Sequence, residues 1–251
     1  MLTKPIALQT FTVRDDIARD FKGTIEQIAK IGYDGIELGG DTGGMAPAEF
    51  RKFLDGLGLK CMSWHAPIES LSGDTQAVID FAKTLGMEFV GCPYFAGQRA
   101  GDYYEAAKTL EKVGAKLKDA GIKLVYHNHA HEFTKFDGHY AIDIILANSK
   151  HDCVGWELDT YWVKIGGEEP QDFIRKYAGR VPLLHLKDRT AGPNPTFAEV
   201  GAGTLNWTDI FSAADEAGTE WYIVEQDTCQ RPPLESARIS LDNLKKMGVA
   251  R

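Results

Sequence analysis

Leu124-Val125-Tyr126-His127-Asn128-His129-Ala130-His131-Glu132-Phe133 begins as an apolar strand and ends with three histidines and a carboxylate within six residues. A β-rich apolar run that turns abruptly ionisable reads as a strand tip opening into a polar site. Three later stretches repeat the pattern: Val154-Gly155-Trp156-Glu157-Leu158-Asp159, Val181-Pro182-Leu183-Leu184-His185-Leu186-Lys187-Asp188 and Trp221-Tyr222-Ile223-Val224-Glu225-Gln226-Asp227. Four such tips meeting at one face gather oxygen and imidazole donors, the set that a divalent metal needs.

Outward from these stretches, short β-like runs alternate with amphipathic segments roughly every 25 to 40 residues, the rhythm of βα units. Strand candidates are 6–11, 33–38, 59–65, 89–92, 122–127, 154–158, 181–186 and 221–225. Helical candidates are 21–31, 46–57, 75–85, 103–120, 140–149, 170–177, 208–217 and 233–247. Several of these helices end at a glycine before the next strand, as Gly32, Gly58, Gly86, Gly121 and Gly218 show. Eight such units predict an α/β fold, a (β/α)8 TIM barrel, as one domain over residues 1–251. An open doubly wound sheet is the rival, but Thr10-Phe11-Thr12-Val13-Arg14-Asp15 stands where that fold carries its glycine-rich phosphate turn. The irregular stretches 189–206 and 227–233 read as rims over the site.

Composition narrows the partners. A net charge of −8 and a pI near 5.4 exclude nucleic acid as a routine partner, since backbone binding needs a basic surface. No apolar run has transmembrane length and the first residues carry no secretory signal, so no membrane is expected and the location is read as cytoplasmic. The cysteines, Cys61, Cys92, Cys153 and Cys229, lie far apart without Cys-x-x-Cys spacing and read as thiols of a reducing compartment.

In a barrel, chemistry collects at the C-terminal strand ends. Seven of the eight units place Gln9, Glu37, His65, His127 with His129, Glu157 with Asp159, His185 with Lys187, and Glu225 with Asp227 there. Residues two apart share one side of a strand, so the three late pairs project together into the mouth. Burying several carboxylates without a cation is costly. A divalent ion assisted by Lys187 removes the repulsion, and the donor types suit manganese, magnesium, cobalt or zinc. His131, His139 and His151 read as ordinary hydrogen-bonded histidines, and the tryptophans as core, with one or two near the mouth able to stack on a sugar.

With these ends laid out, the chain resembles the xylose isomerase-like barrel superfamily of sugar isomerases, epimerases and inosose dehydratases, to which endonuclease IV is related. Asp159-Thr160, His185-Leu186-Lys187-Asp188 and Gly201-Ala202-Gly203-Thr204-Leu205-Asn206-Trp207 carry the likeness, and Glu225 falls where the strand-eight ligand belongs. The resemblance implies a metal held by Asp159, His185, Glu225 and a fourth group. His127-Asn128-His129 stands where the family reads Glu-Asn-His, and Trp162 replaces the histidine of its strand-six motif. Glu132 is the preferred fourth ligand, with His127 and Glu157 as rivals.

The implied activity is metal-dependent isomerisation or epimerisation of a keto-sugar or polyol through a metal-stabilised enediolate, with Glu225 and either Glu132 or one of His127 and His129 exchanging the proton. Glu37, His65, His127, Glu157 and Lys187 are expected to bind substrate. His65-Ala66-Pro67 resembles the endonuclease IV metal-binding segment, but the acidic chain favours a substrate role. Arg14 and Arg189 lack an anion nest, which points to an unphosphorylated sugar. The alternatives are β-elimination, as in a dehydratase, and a non-catalytic sugar-binding or accessory barrel. A homodimer is the expectation at family level.

Overall fold

The computed structural model of the chain describes residues 2–250. Eight strands form the barrel: β1 Ile6–Gln9, β2 Gly35–Leu38, β3 Lys60–Trp64, β4 Phe89–Cys92, β5 Lys123–His127, β6 Val154–Asp159, β7 Leu183–Leu186 and β8 Trp221–Val224. Their order, β3-β2-β1-β8-β7-β6-β5-β4, is parallel throughout. The two ends of that order meet through a parallel bridge between His65 and Gly91, with Ala66 N–H donating to Gly91 O at 2.8 Å. The predicted (β/α)8 barrel is the fold.

Strand alternation sorts the residues into layers. Outward-facing side chains such as Leu124, Leu158, Leu184 and Leu186 pack against the helices in one large apolar shell. Ala7, Met62, Phe89, Val125, Leu183, Trp221 and Ile223 form a separate apolar plug inside the barrel. Continuing toward the strand C-termini replaces this plug with Gln9, Glu37, His127, Glu157, Asp159 and His185, all buried. The barrel is therefore oily at its base and ionisable at its mouth.

The helices form where the periodicity predicts. Phe21–Ile31, Thr75–Leu85 and Trp207–Ala217 start at side-chain caps from Asp20, Asp74 and Asn206 and stop at left-handed glycines. Three helices of six residues, Arg14–Arg19, Ile68–Gly73 and Thr160–Ile165, were not expected; each is too short to carry a readable apolar period. Residues 188–189 pair with 197–198 in a small hairpin over the mouth. Among the described residues, no helix is long and apolar enough to cross a membrane. Cys61, Cys92 and Cys153 are buried and all four thiols are free.

Candidate active site

Each ionisable group at the mouth is delivered by a strand end and fixed by a neighbour. Asn128, one residue past β5, accepts from Trp156 Nε1 at 2.9 Å and from Asp159 N–H at 3.0 Å, locking β5 to β6. Asp159 Oδ1 caps the helix Thr160–Ile165 by accepting from Trp162 N–H at 2.9 Å, which aims Oδ2 at the barrel axis. Thr160 Oγ1 accepts from Lys187 N–H at 3.1 Å and lies 3.0 Å from His185 O, tying β6 to β7.

His185 is the hub. Its Nδ1 lies 2.8 Å from Glu225 Oε2 and 4.0 Å from Asp159 Oδ2. Its Nε2 lies 2.6 Å from Glu37 Oε2 and 3.4 Å from Glu157 Oε1. Two donor groups therefore share this ring: His127, Asp159, His185 and Glu225 on one side, and Glu37, His65, Glu157 and His185 on the other, each with ligand atoms within 4.8 Å of one another. Lys187, buried, reaches Glu225 at 2.7 Å, Asp227 at 2.8 Å and Asp159 at 3.0 Å.

These contacts set the protonation. Burial alone lowers His185, but the charges of Glu157 and Glu37 and hydrogen bonds with Glu157 and Glu225 hold it well above the ordinary histidine value. Burial likewise opposes the Lys187 ammonium, and Asp159, Glu225 and Asp227 reverse it, keeping the amine charged. Burial works against the Glu225 and Asp159 carboxylates, yet Lys187 and the histidines hold both below the usual range. His129 is pushed down to about 3, by burial first and then by the neighbouring His127 and Lys187 charges. His65 is raised, since Glu37 and Glu157 outweigh its burial.

Both ring nitrogens of His127 and Oδ2 of Asp159 are buried without a hydrogen-bond partner. His127 Nε2 and Asp159 Oδ2 stand 3.4 Å apart, and the Lys187 ammonium lies 3.0 Å from that oxygen. Orphaned imidazole and carboxylate donors converging in this way fit a divalent cation. A cavity of about 290 Å³ opens above them, lined by Phe11, His65, His127, His129, Lys187, Glu225 and Asp227.

Asp159, His185, Glu225, Lys187, His127, His65 and Glu157 are thus brought together. Glu132 is not. Its Oε1 accepts from Tyr126 OH at 2.6 Å and its Oε2 from His129 N–H at 2.8 Å, because the short 3-10 turn His131–Phe133 carries it back under β5. Where Glu132 was expected to complete a metal shell or move a proton, the structure engages it in these two hydrogen bonds, and it is His127 that stands with Asp159, His185 and Glu225. Glu37, expected to touch substrate, is fully buried behind His185 and does not line the cavity. Trp162 packs beside His129 at 5.3 Å between ring centroids and beside Phe197 at 5.9 Å, forming an aromatic wall where the family motif carries a histidine.

Asp188 was missed as a separate actor. Its oxygens accept from the N–H groups of Gly201, Gly203, Thr204 and Leu205 and from Trp207 Nε1, so the Gly-x-Gly segment is a cradle for this carboxylate. A Cβ at Gly203 would lie 2.3 Å from Asp188 Oδ1, which is why glycine stands there. At the barrel's other end a cavity of about 370 Å³ is lined by Ile122, Leu124 and Pro182. Its rim carries two ion pairs, Lys123 with Glu220 at 2.5 Å and Lys118 with Asp152.

A closed parallel barrel with ionisable groups massed at its C-terminal mouth is the architecture of an enzyme. The chain matches the model of the xylose isomerase-like TIM barrel family over residues 25–247 and belongs to that family. An inosose dehydratase of Lacticaseibacillus casei is 25 % identical, with 86 % of each chain covered. The crystal structure of a sugar phosphate isomerase/epimerase from Parabacteroides distasonis superposes with a TM-score of 0.89 at 26 % identity, covering 100 % of this chain and 96 % of that one. A crystal structure of IolI protein with a binding zinc atom shares the fold at a TM-score of 0.78 and 15 % identity, covering 96 % and 98 %.

Proposed function

We propose that this enzyme is a divalent-metal-dependent isomerase or epimerase of a keto-sugar or polyol, with the ion held by His127, Asp159, His185 and Glu225. The carrying observation is the convergence of four buried donors from β5, β6, β7 and the end of β8, two of them without other hydrogen-bond partners. A divalent ion there supplies Lewis acidity toward adjacent sugar oxygens. Glu225 remains an ionised carboxylate on one side of the cavity, and the neutral imidazole of His129 faces it from the β5 side. Two proton acceptors flanking one cavity suit removal of a proton beside a carbonyl and its return at another position. Lys187 and His65 line the same space and orient hydroxyl or carbonyl oxygens. Phe11 and the nearby Trp162 wall give a sugar's apolar face something to lie against.

A second reading, dehydration, is favoured by His65. Glu157 Oε2 stands 2.6 Å from its Nε2, and the charges of Glu37 and Glu157 raise its pKa while it faces the cavity, which suits protonation of a leaving hydroxyl. The inosose dehydratase relative points the same way. The test begins with metal analysis of purified protein: about one divalent ion per chain is expected, and Asp159→Ala or His185→Ala should lose it. Incubation with keto-sugars in deuterated water then separates the two: deuterium gained with no loss of water supports isomerisation, and an unsaturated product supports elimination. A metal-free, chelator-indifferent protein overturns both.

A further inference from the structure

We infer that Glu37 is a positioning residue: its carboxylate takes the Nε2–H of His185 and thereby turns Nδ1, with its lone pair, toward Asp159 and Glu225. The inference rests on the metal reading above and adds which face of His185 the ion occupies. A neutral imidazole has one lone pair, so a single ring cannot serve both donor groups at once without losing its last proton. The structure distinguishes the two faces. On the Nε2 side, Glu37 Oε2 stands at 2.6 Å, the distance of a strong charge-assisted hydrogen bond. On the Nδ1 side Glu225 Oε2 stands slightly farther off, at 2.8 Å, and with it lie the unpartnered His127 ring and Asp159 Oδ2.

Glu37 is itself held from behind. Gln9 Nε2 donates to Glu37 Oε2 at 2.8 Å, while Gln9 Oε1 accepts from Phe11 N–H at 3.1 Å. That backbone bond fixes the orientation of the amide, because only its oxygen can face an N–H donor. A relay therefore runs from the Phe11 backbone through Gln9 and Glu37 to His185, joining β1, β2 and β7 across the barrel. Adding a Cβ at Gly39 would bring it within 2.5 Å of Gln9 Oε1, so the turn after β2 is shaped around this amide. Glu37 lies at 0 % exposure and lines no part of the cavity, which removes substrate contact as its reason for being charged. A carboxylate that orients a ligating histidine raises its basicity and fixes its tautomer, and its loss typically weakens metal binding by 10- to 100-fold.

The test is a cobalt(II) titration of the full chain, followed by visible absorption, with thermal unfolding of each metal-free variant as the folding control. Wild type should bind one ion and His185→Ala none. Glu37→Gln, which keeps the shape and removes the charge, should bind roughly 10- to 100-fold more weakly with an altered ligand-field spectrum. Gln9→Met should shift affinity in the same direction by less. Glu157→Gln should stay within about twofold of wild type, since Glu157 belongs to the other face. Wild-type affinity in Glu37→Gln overturns this inference and leaves the metal reading standing. An equal loss in Glu157→Gln also overturns it, by placing the ion on the Nε2 side. A wild-type chain that takes up no cobalt overturns the metal reading and the positioning role together.

Discussion

Lys187 shows how much one residue at this mouth decides. Its ammonium is enclosed by Asp159, Glu225 and Asp227 at 3.0, 2.7 and 2.8 Å and is almost wholly shielded from water. Lys187→Met would leave the buried carboxylates of Asp159 and Glu225 beside the half-buried Asp227, and removing one partner of a buried ion pair typically costs about 3–5 kcal/mol. Urea unfolding of the metal-free variant should show that loss, and saturating manganese should recover much of it, because a bound cation stabilises only the folded chain. An unchanged urea midpoint would contradict the charge assignment. His131 gives a pH-dependent counterpart. Burial lowers its pKa, but the Glu132 hydrogen bond and charge and the Phe95 carbonyl more than offset this, so the folded value lies above the unfolded one of about 6.5. The stabilisation is then fully present below about pH 6.5 and is lost as pH rises through the raised value. His131→Gln should narrow the melting-temperature gap from wild type on going from about pH 6 to pH 8.5. Asp159, His185, Lys187 and Glu225 were legible because period-two alternation from an apolar strand fixes the side on which the next polar residue falls. Glu132 was not, because the chain leaves β5 and turns through residues 131–133, and residue spacing carries no information about the direction of such a turn.

At the scale of elements, the segment between β7 and the helix Trp207–Ala217 depends on a single carboxylate. Asp188 gathers five backbone N–H groups, those of Arg189, Gly201, Gly203, Thr204 and Leu205, and one indole N–H, and the hairpin 188–189 with 197–198 hangs from the same point. Charged hydrogen bonds of this kind contribute about 1.5–3 kcal/mol each before the cost of ordering the loop is subtracted. Asp188→Ala should therefore loosen residues 189–206 with little effect on the barrel. Limited proteolysis should cut within that segment in the variant and spare it in wild type; equal resistance would mean the loop is held by other contacts. Phe197 packs on Tyr161 at 4.2 Å and beside Trp162 at 5.9 Å, so the same variant should also weaken binding of any sugar resting on that wall. The Gly-x-Gly signature was visible as residues, whereas its purpose was not, since the partner carboxylate lies 13 to 17 residues upstream of the N–H groups it binds. The eight strands and the long helices were legible from period and caps. The helices Arg14–Arg19, Ile68–Gly73 and Thr160–Ile165 were hidden because two turns or fewer do not establish a period.

The whole barrel closes at its thinnest seam beside its most reactive groups. Every neighbouring strand pair except β3 and β4 is joined by a ladder of three or four registered residues. Between β3 and β4 stand the bridge of His65 with Gly91, the bond from Ala66 N–H to Gly91 O at 2.8 Å and the bond from Glu88 N–H to Met62 O at 3.1 Å. Gly91 is also the floor under the His65–Glu157 pair: a Cβ there would lie 2.8 Å from His65 Cδ2 and 3.5 Å from Glu157 Oε2. Seam and site are consequently one structure, and a local opening between β3 and β4 would separate His65 from its carboxylate. Stability is not uniform across a fold, and the part with the fewest cross-strand bonds opens at the lowest free energy. Hydrogen exchange should accordingly find peptides covering 60–66 and 88–92 less protected than those covering 123–127 and 154–159. Gly91→Ala should widen that difference and lower global stability by about 1–3 kcal/mol, the usual cost of overpacking a filled interior. A sugar spanning from His65 to His129, which follows β5 beside β4, would brace both sides of the opening, so substrate should slow exchange at the seam more than elsewhere in the barrel. Uniform protection around all eight strands, with or without sugar, would show that the seam is as firmly closed as the ladders.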